Sequence, residues 1–270
     1  MEEEGKKTIL MFPTKKNPIF GWYVKDGIPI GEDSKFGEVF QVCDDSDCNY
    51  VIKIILGSSH KKIKKEVEIQ KLCAKHNLCK PVEDWWLIKG RRTLDIENLF
   101  TLDDFIFPES GGVIITPILK ETFGRRIERE SDPKKRIRLI KKAWEIISKL
   151  HQIGIIHNDA HYDNLMFDGK GNLYFIDMGK AIRLEKENKY IEYRRIIRDY
   201  SSVIHNIEGV EEYFSVVLKI IKKEMWKEID EGTSVRKAEK KVVGKILKMK
   251  NIDLDILVGE YPRFQGSSFL

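Results

Sequence analysis

One lysine stands inside the apolar run Tyr50-Val51-Ile52-Lys53-Ile54-Ile55-Leu56. A run this rich in β-branched and aliphatic side chains predicts a strand with most of its length buried. An ammonium group in such a strand is costly unless an anion meets it. The chain therefore either brings a carboxylate to the middle of this strand or leaves Lys53 to snorkel from a sheet edge.

The flanking sequence places that strand in a hairpin. Phe36-Gly37-Glu38-Val39-Phe40-Gln41-Val42 alternates and is rich in β-formers, and the acidic stretch from Asp44 to Asn49 predicts the turn between the strands. Residues 60–76 predict a helix, with Ile63, Val67, Gln70 and Cys73 or Ala74 along one side and Glu66 and Glu68 available on it. Asp84–Ile88 and Gly112–Leu119 predict two more strands, and the mixed residues 89–111 between them predict a loop.

Near residue 120 the pattern changes. Ser131-Asp132-Pro133 is a helix start, a capping side chain followed by proline at the first position. Ile137, Ile140, Ala143 or Trp144, Ile147 and Leu150 follow at helical spacing, so this helix extends to about His151. Then come the pair Ile155-Ile156, a polar loop, an apolar patch at Leu165–Phe167, a turn at Asp168–Asn172 and a strand at Leu173–Ile176. From about residue 188 onward the pattern is mostly helical. The expected class is α+β, a sheet with one helix followed by a mainly helical part, with the boundary at 117–124.

Composition excludes several classes. The chain has 270 residues, 41% hydrophobic and 34% charged, and a net charge of +5. That is globular rather than disordered. No apolar run approaches the roughly 18 residues of a membrane helix. The acidic start, MEEEGKKTILMF, does not resemble a secretion signal, so a soluble protein of the cytoplasm or nucleus, not secreted, is expected. Basic clusters occur at Lys61–Lys65, Lys134–Arg136 and Arg236–Lys241, but no aromatic residues interleave with them in sequence, which argues against nucleic acid as a partner. The cysteines Cys43, Cys48, Cys73 and Cys79 lack common zinc spacings, and reduced thiols are expected.

The chemistry concentrates in residues 157–179, HNDAHYDNLMFDGKGNLYFIDMG. Asp159 and Asn164 lie five apart in a polar loop, and a predicted hairpin follows whose far end is Asp177-Met178-Gly179. A lone Asp in a loop is usually a cap or a turn residue. An Asp and an Asn at this separation, then a hairpin ending in Asp-x-Gly, form a more specific pattern. The segment resembles the catalytic and metal-binding motifs of the protein-kinase-like superfamily. Val51-Ile52-Lys53 is similar to that family's lysine-bearing strand, and Ile30–Val39 is similar to its glycine-rich loop, with Gly31, Gly37 and Val39 retained and the middle glycine missing.

The resemblance covers roughly residues 28–206 and implies a two-lobed fold. Residues 1–27 would be an N-terminal extension, 28–118 an antiparallel-sheet lobe with one helix, and 119–270 a mainly helical lobe. It implies ATP with Mg²⁺, or Mn²⁺ in its place, as the cofactors and a protein hydroxyl as the acceptor, with no membrane partner. Asp159 would be the catalytic base, Asn164 and Asp177 the metal ligands, and Lys53 the phosphate-binding group, with Glu68 its ion-pair partner and Glu66 the alternative. Gly31, Gly37, Val39 and Ile118 would line the nucleotide. Asp199, in Arg198-Asp199-Tyr200, would hold the catalytic loop.

The departures are specific. Asn158 replaces a common Arg, His161 replaces a common Lys, no Ala-Pro-Glu follows Asp177, and only about twenty residues separate Gly179 from Asp199. These features are similar to the reduced Rio-type and haspin-like kinases. His161 also suits small-molecule phosphotransferases of the aminoglycoside and choline kinase type. The altered glycine loop suits an inactive scaffold.

Overall fold

The computed structural model describes residues 22–30, 37–44, 46–89, 110–184, 188–205, 207 and 211–249. The described chain is α+β, with an antiparallel sheet and six α-helices. It divides into two compact units. One takes in the chain up to Lys120 together with Met166–Ala181, and the other takes in Glu121–Leu165 and the chain from Ile182 on.

The first unit is built on five strands, β1 (Tyr23–Pro29), β2 (Gly37–Cys43), β3 (Tyr50–Leu56), β4 (Asp84–Lys89) and β5 (Ser110–Pro117). Their order is β1-β2-β3-β5-β4, every neighbouring pair antiparallel. The strand that carries Lys53 is thus central. Because side chains alternate across a strand, β3 has two characters. Ile52 and Ile54 join Trp22, Phe40, Val42, Val113 and Ile115 in the core on one face. Ile55 faces the other way and packs with Ile114, Ile63 and Val67. Lys53 has the parity of Ile55, so it projects to the face covered by helix α1 (His60–Lys75).

Helix α1 starts at Ser59, whose side chain accepts from the Lys62 N–H. Its buried stripe is Ile63, Glu66, Val67, Ile69 and Cys73. Gly112 on β5 lets this stripe approach closely, since a Cβ there would lie 2.8 Å from Ile63 Cγ2. The segment Met166–Ala181 is held to the end of α1. Phe175 N–H donates to Leu78 O at 2.8 Å, and Lys80 Nζ lies 3.4 Å from Asp168 Oδ2. Asp168 accepts from the N–H groups of Lys170 and Asn172, each at 2.9 Å, which forms the turn expected at 168–172.

At the β2–β3 turn, Asp44 Oδ1 accepts from the Ser46 and Asp47 N–H groups. Cys43 and Cys48 form a disulfide across this turn, contrary to the reduced thiols expected of them. The hairpin register, with Val42 opposite Tyr50, carries both cysteines to the same turn. Cys73 and Cys79 are free and buried.

The second unit is mainly helical. Helix α2 (Phe123–Arg129) precedes α3 (Pro133–Gln152), which begins at Asp132 as expected, its side chain accepting from Lys134 N–H at 2.9 Å. Helices α4 (Lys189–Ile204), α5 (Glu211–Asp230) and α6 (Val235–Lys248) complete it. Trp144 of α3 anchors the core, edge-on to Tyr200 at 5.5 Å and to Phe214 at 5.0 Å. Its ring N–H donates to Tyr200 O at 3.2 Å. Ile155 and Ile156 pair antiparallel with Arg183 and Ile182, so the polar loop after residue 156 leaves from a short buried strand. Among the described residues, no helix is long and apolar enough to cross a membrane.

Candidate active site

In the first unit, Lys53 meets two carboxylates. Its Nζ lies 2.9 Å from Glu66 Oε1 and 2.7 Å from Asp177 Oδ1. Burial by itself lowers the lysine pKa, but the Glu66 and Asp177 charges outweigh it and hold it above its ordinary value. Burial, with the Asp177 charge beside it, raises the Glu66 pKa against the lowering by Lys53. Lys53 therefore stays a cation at neutral pH, with its ammonium fixed in space.

Its helix partner is Glu66 and not Glu68. Two residues along an α-helix turn the side chain by about 200°, so Glu66 falls in the buried stripe with Ile63 while Glu68 is exposed. The match to a sequence motif had favoured Glu68, but the position relative to the buried face decides.

Asp177 ends the segment that follows the strand Leu173–Phe175. It adopts a left-handed conformation, φ 52° and ψ 74°, and accepts from the Gly179 N–H at 3.2 Å. A non-glycine residue in this region is uncommon and is held by its surroundings. Its side chain is 48% exposed, with Oδ1 toward Lys53. Gly179 matters for space rather than for a sharp turn. A Cβ there would lie 3.1 Å from Asp177 Oδ1 and 3.2 Å from Glu66 Oε2, and the positive φ belongs to Asp177 itself.

The other positions expected to line a nucleotide fare differently. Val39 on β2 is the register partner of Lys53 on β3, and Gly37 begins the same strand. Gly31 lies outside the described residues. The Ile118 N–H donates to Asn49 O at 2.8 Å, so that group is engaged inside the sheet unit. The cause is the β3–β5 pairing, which continues past Pro117 opposite Tyr50.

In the second unit, the loop from His157 to Asn164 is pinned at both ends. Asp199 of α4 accepts from the His157 N–H at 2.8 Å and the Asn158 N–H at 2.9 Å. Asn158 has a positive φ of 62°, which aims both amides at one carboxylate. Further along, the His161 N–H donates to Asp159 O at 2.8 Å, and Asn164 Nδ2 donates to Asp159 O at 2.9 Å. Asn164 is buried and also lies 3.0 Å from His161 Nε2. Asn164 Nδ2 also lies 3.4 Å from Asp159 Oδ2, so the side chains of Asp159, His161 and Asn164 form one group around Asn164 Nδ2. Gly124 of α2 supports their turn, since a Cβ there would lie 2.7 Å from the Tyr162 ring.

Three supporting residues escaped the sequence reading. His151 is fully buried, with Nε2 3.1 Å from Asp199 Oδ2 and Nδ1 2.6 Å from Glu239 Oε1 of α6. Tyr200 donates its hydroxyl to the same Glu239 oxygen at 2.6 Å. Burial alone lowers the His151 pKa, but the two carboxylates raise it to about 9. The imidazolium is thereby shared between Asp199, which holds the loop, and Glu239. The only sequence signal was a histidine on the apolar side of α3.

Among the described residues, no group of three or more His, Cys, Asp or Glu side chains could hold a metal ion by itself. Magnesium does not need such a cage, because it takes one or two protein oxygens and fills the rest with phosphate and water. The half-exposed Asp177 carboxylate beside a fixed ammonium suits that mode.

No family model matches the chain. Over 101 residues it is 30% identical to the probable serine/threonine-protein kinase fnkE of Dictyostelium discoideum. The match takes in 36% of this chain and 7% of that protein's length.

Proposed function

We propose that this chain is an ATP-dependent phosphotransferase, and that its acceptor is a serine or threonine hydroxyl of a protein. The observation that carries the reading is the position of Lys53 between Glu66 and Asp177, residues drawn from separate parts of the sequence to fix one cation. The partial match to a serine/threonine kinase supports the same class. In this reading residues 28–118 form the nucleotide-holding lobe and residues 119–270 the acceptor lobe of a reduced kinase of the Rio or haspin type, working in the cytoplasm or nucleus.

Each group then has a task. Lys53 holds phosphate oxygens, and Glu66 keeps its ammonium from collapsing onto Asp177 alone. Asp177 and Asn164 would each offer an oxygen to magnesium, or to manganese in its place. The ion, when bound with ATP, neutralises charge on the phosphate oxygens. Asp159 orients the acceptor hydroxyl and takes its proton on a carboxylate oxygen. His161 belongs to the same hydrogen-bonded group, its Nε2 3.0 Å from Asn164 Nδ2. Asp199 keeps the loop in place through its backbone.

A second reading, a small-molecule acceptor, is favoured by His161 and by the short span between Gly179 and Asp199, which leaves little chain for a peptide platform. Transfer from γ-labelled ATP decides between them. The assay offers mixed basic and acidic proteins in one arm and aminoglycosides and choline in another, with Asp159→Ala beside the wild type. Label on protein that disappears in the variant supports the first reading. Label on a small molecule supports the second. ATP bound without transfer to any acceptor would leave an inactive scaffold.

A further inference from the structure

Four large hydrophobic side chains are exposed among the described residues; two of them, Tyr190 and Trp226, meet, and a third, Ile191, follows Tyr190 in sequence. Tyr190 is 52% exposed, Ile191 46% and Trp226 37%. The first two begin α4 and the third lies in the last turns of α5. The rings interlock. Tyr190 meets Trp226 at 6.0 Å and Tyr193 meets it at 5.2 Å, both edge to face. The Tyr193 hydroxyl donates to Lys222 O at 3.1 Å and ties the two helices together. The patch is therefore a fixed surface, and a cluster of this kind on a folded unit marks an interaction site more often than scattered apolar residues do.

Its rim is basic. Lys189 and Arg194 of α4 and Lys222, Lys223 and Lys227 of α5 are exposed. Two of the acids on the same stretches are paired with cations of α6, and Glu224 is half-buried. Glu192 pairs with Arg236 at 3.4 Å, and Glu228 pairs with Lys241 at 2.6 Å. Asp230 and Glu231, at the end of α5, are exposed. The Arg194 guanidinium lies 5.6 Å from the centre of the Tyr190 ring, so it is held beside the apolar surface with donors to spare.

We infer that the start of α4 and the second half of α5 form a docking surface for an acidic segment of another protein, with Tyr190, Ile191 and Trp226 receiving an apolar anchor and Arg194, Lys222 and Lys227 pairing with flanking carboxylates. Charge complementarity selects the partner's sign. The ring geometry selects a protein over a nucleic acid. Single strands stack successive bases on open ring faces, whereas these rings meet edge to face, one Tyr190 face carries Arg194, and Ile191 has no π-face.

The surface does not depend on phosphoryl transfer, and its test omits nucleotide, so failure here and failure of the phosphotransferase reading are separate results. Fluorescence anisotropy is measured with a labelled Glu-Glu-Leu-Phe-Glu-Glu peptide, its Lys-for-Glu counterpart, and a labelled oligothymidylate. The acidic peptide is expected to bind, more weakly as salt rises, and the basic peptide is not. Trp226→Ala and the pair Arg194→Glu with Lys222→Glu are each expected to weaken binding about tenfold or more, about 1.4 kcal/mol. Tyr190→Ser, an exposed change expected to leave the melting temperature intact, is expected to weaken it as well, which separates loss of surface from loss of fold. Absence of binding, or equal affinity in all variants, overturns the proposal. Tighter binding of oligothymidylate reassigns the surface to nucleic acid. Self-association abolished by Trp226→Ala reassigns it to a second copy of the chain.

Discussion

His151 Nδ1 lies 2.6 Å from Glu239 Oε1, and the same ring's Nε2 lies 3.1 Å from Asp199 Oδ2. One buried imidazolium thus joins the last described helix to the carboxylate that holds the His157 and Asn158 amides.

This link predicts a pH dependence of stability. The imidazole pKa rises from 6.5 to about 9 on folding, burial opposing the shift and the Glu239 and Asp199 carboxylates prevailing. Below pH 6.5 both states bind the proton and the stabilisation is complete. Between 6.5 and 9 the unfolded chain releases it first, so stability falls as pH rises through that window. Thermal unfolding across pH 6 to 10 checks it, and Glu239→Gln is expected to flatten the slope. Removing one partner of a buried pair costs about 3–5 kcal/mol, so the variant is also expected to melt earlier.

The Lys53 contacts predict an asymmetry between neighbouring glutamates. Glu66→Ala is expected to reduce phosphoryl transfer about tenfold or more, a loss of about 1.4 kcal/mol, because Lys53 loses the partner 2.9 Å away. Glu68→Ala, on the exposed face, is expected to leave turnover unchanged. Equal losses would return the partner's role to Glu68.

Gly179→Ala is expected to act on the site more than on the fold. The added Cβ would stand 3.1 Å from Asp177 Oδ1 and 3.2 Å from Glu66 Oε2, so both carboxylates must give by a few tenths of an ångström. The expected outcome is a rise in KM for Mg-ATP or a fall in kcat of about tenfold, with little change in melting temperature.

Gly112→Ala is expected to do the reverse. The new Cβ would meet Ile63 Cγ2 at 2.8 Å and Cδ1 at 2.9 Å and press α1 away from the sheet. Overpacking of this kind costs about 1–3 kcal/mol. Chemical denaturation checks the loss, and the double variant with Ile63→Val is expected to recover part of it.

Much of this was legible in the sequence because period and punctuation are local. The alternation in Phe36–Val42, the run Tyr50–Leu56 and the Asp132-Pro133 start predict β2, β3 and α3 where the structure has them. Lys53 was conspicuous because a charge in an apolar strand demands a partner. Which glutamate supplies that partner was not legible, since it depends on which stripe of α1 faces the sheet. The engagement of the Ile118 N–H follows from strand register, and the Cys43–Cys48 bond from the geometry of a turn. Glu239 was invisible for a plainer reason. Its partner lies 88 residues away, and nothing local distinguishes it from the charged residues around it.

The central claim is tested most directly by isothermal titration of the wild-type chain with ATP, with and without Mg²⁺, beside Asp177→Asn. The account predicts one ATP per chain in the presence of Mg²⁺ and a loss of the metal-dependent part in the variant. Absence of ATP binding with Mg²⁺ present, or binding indifferent to both the metal and Asp177, would contradict it.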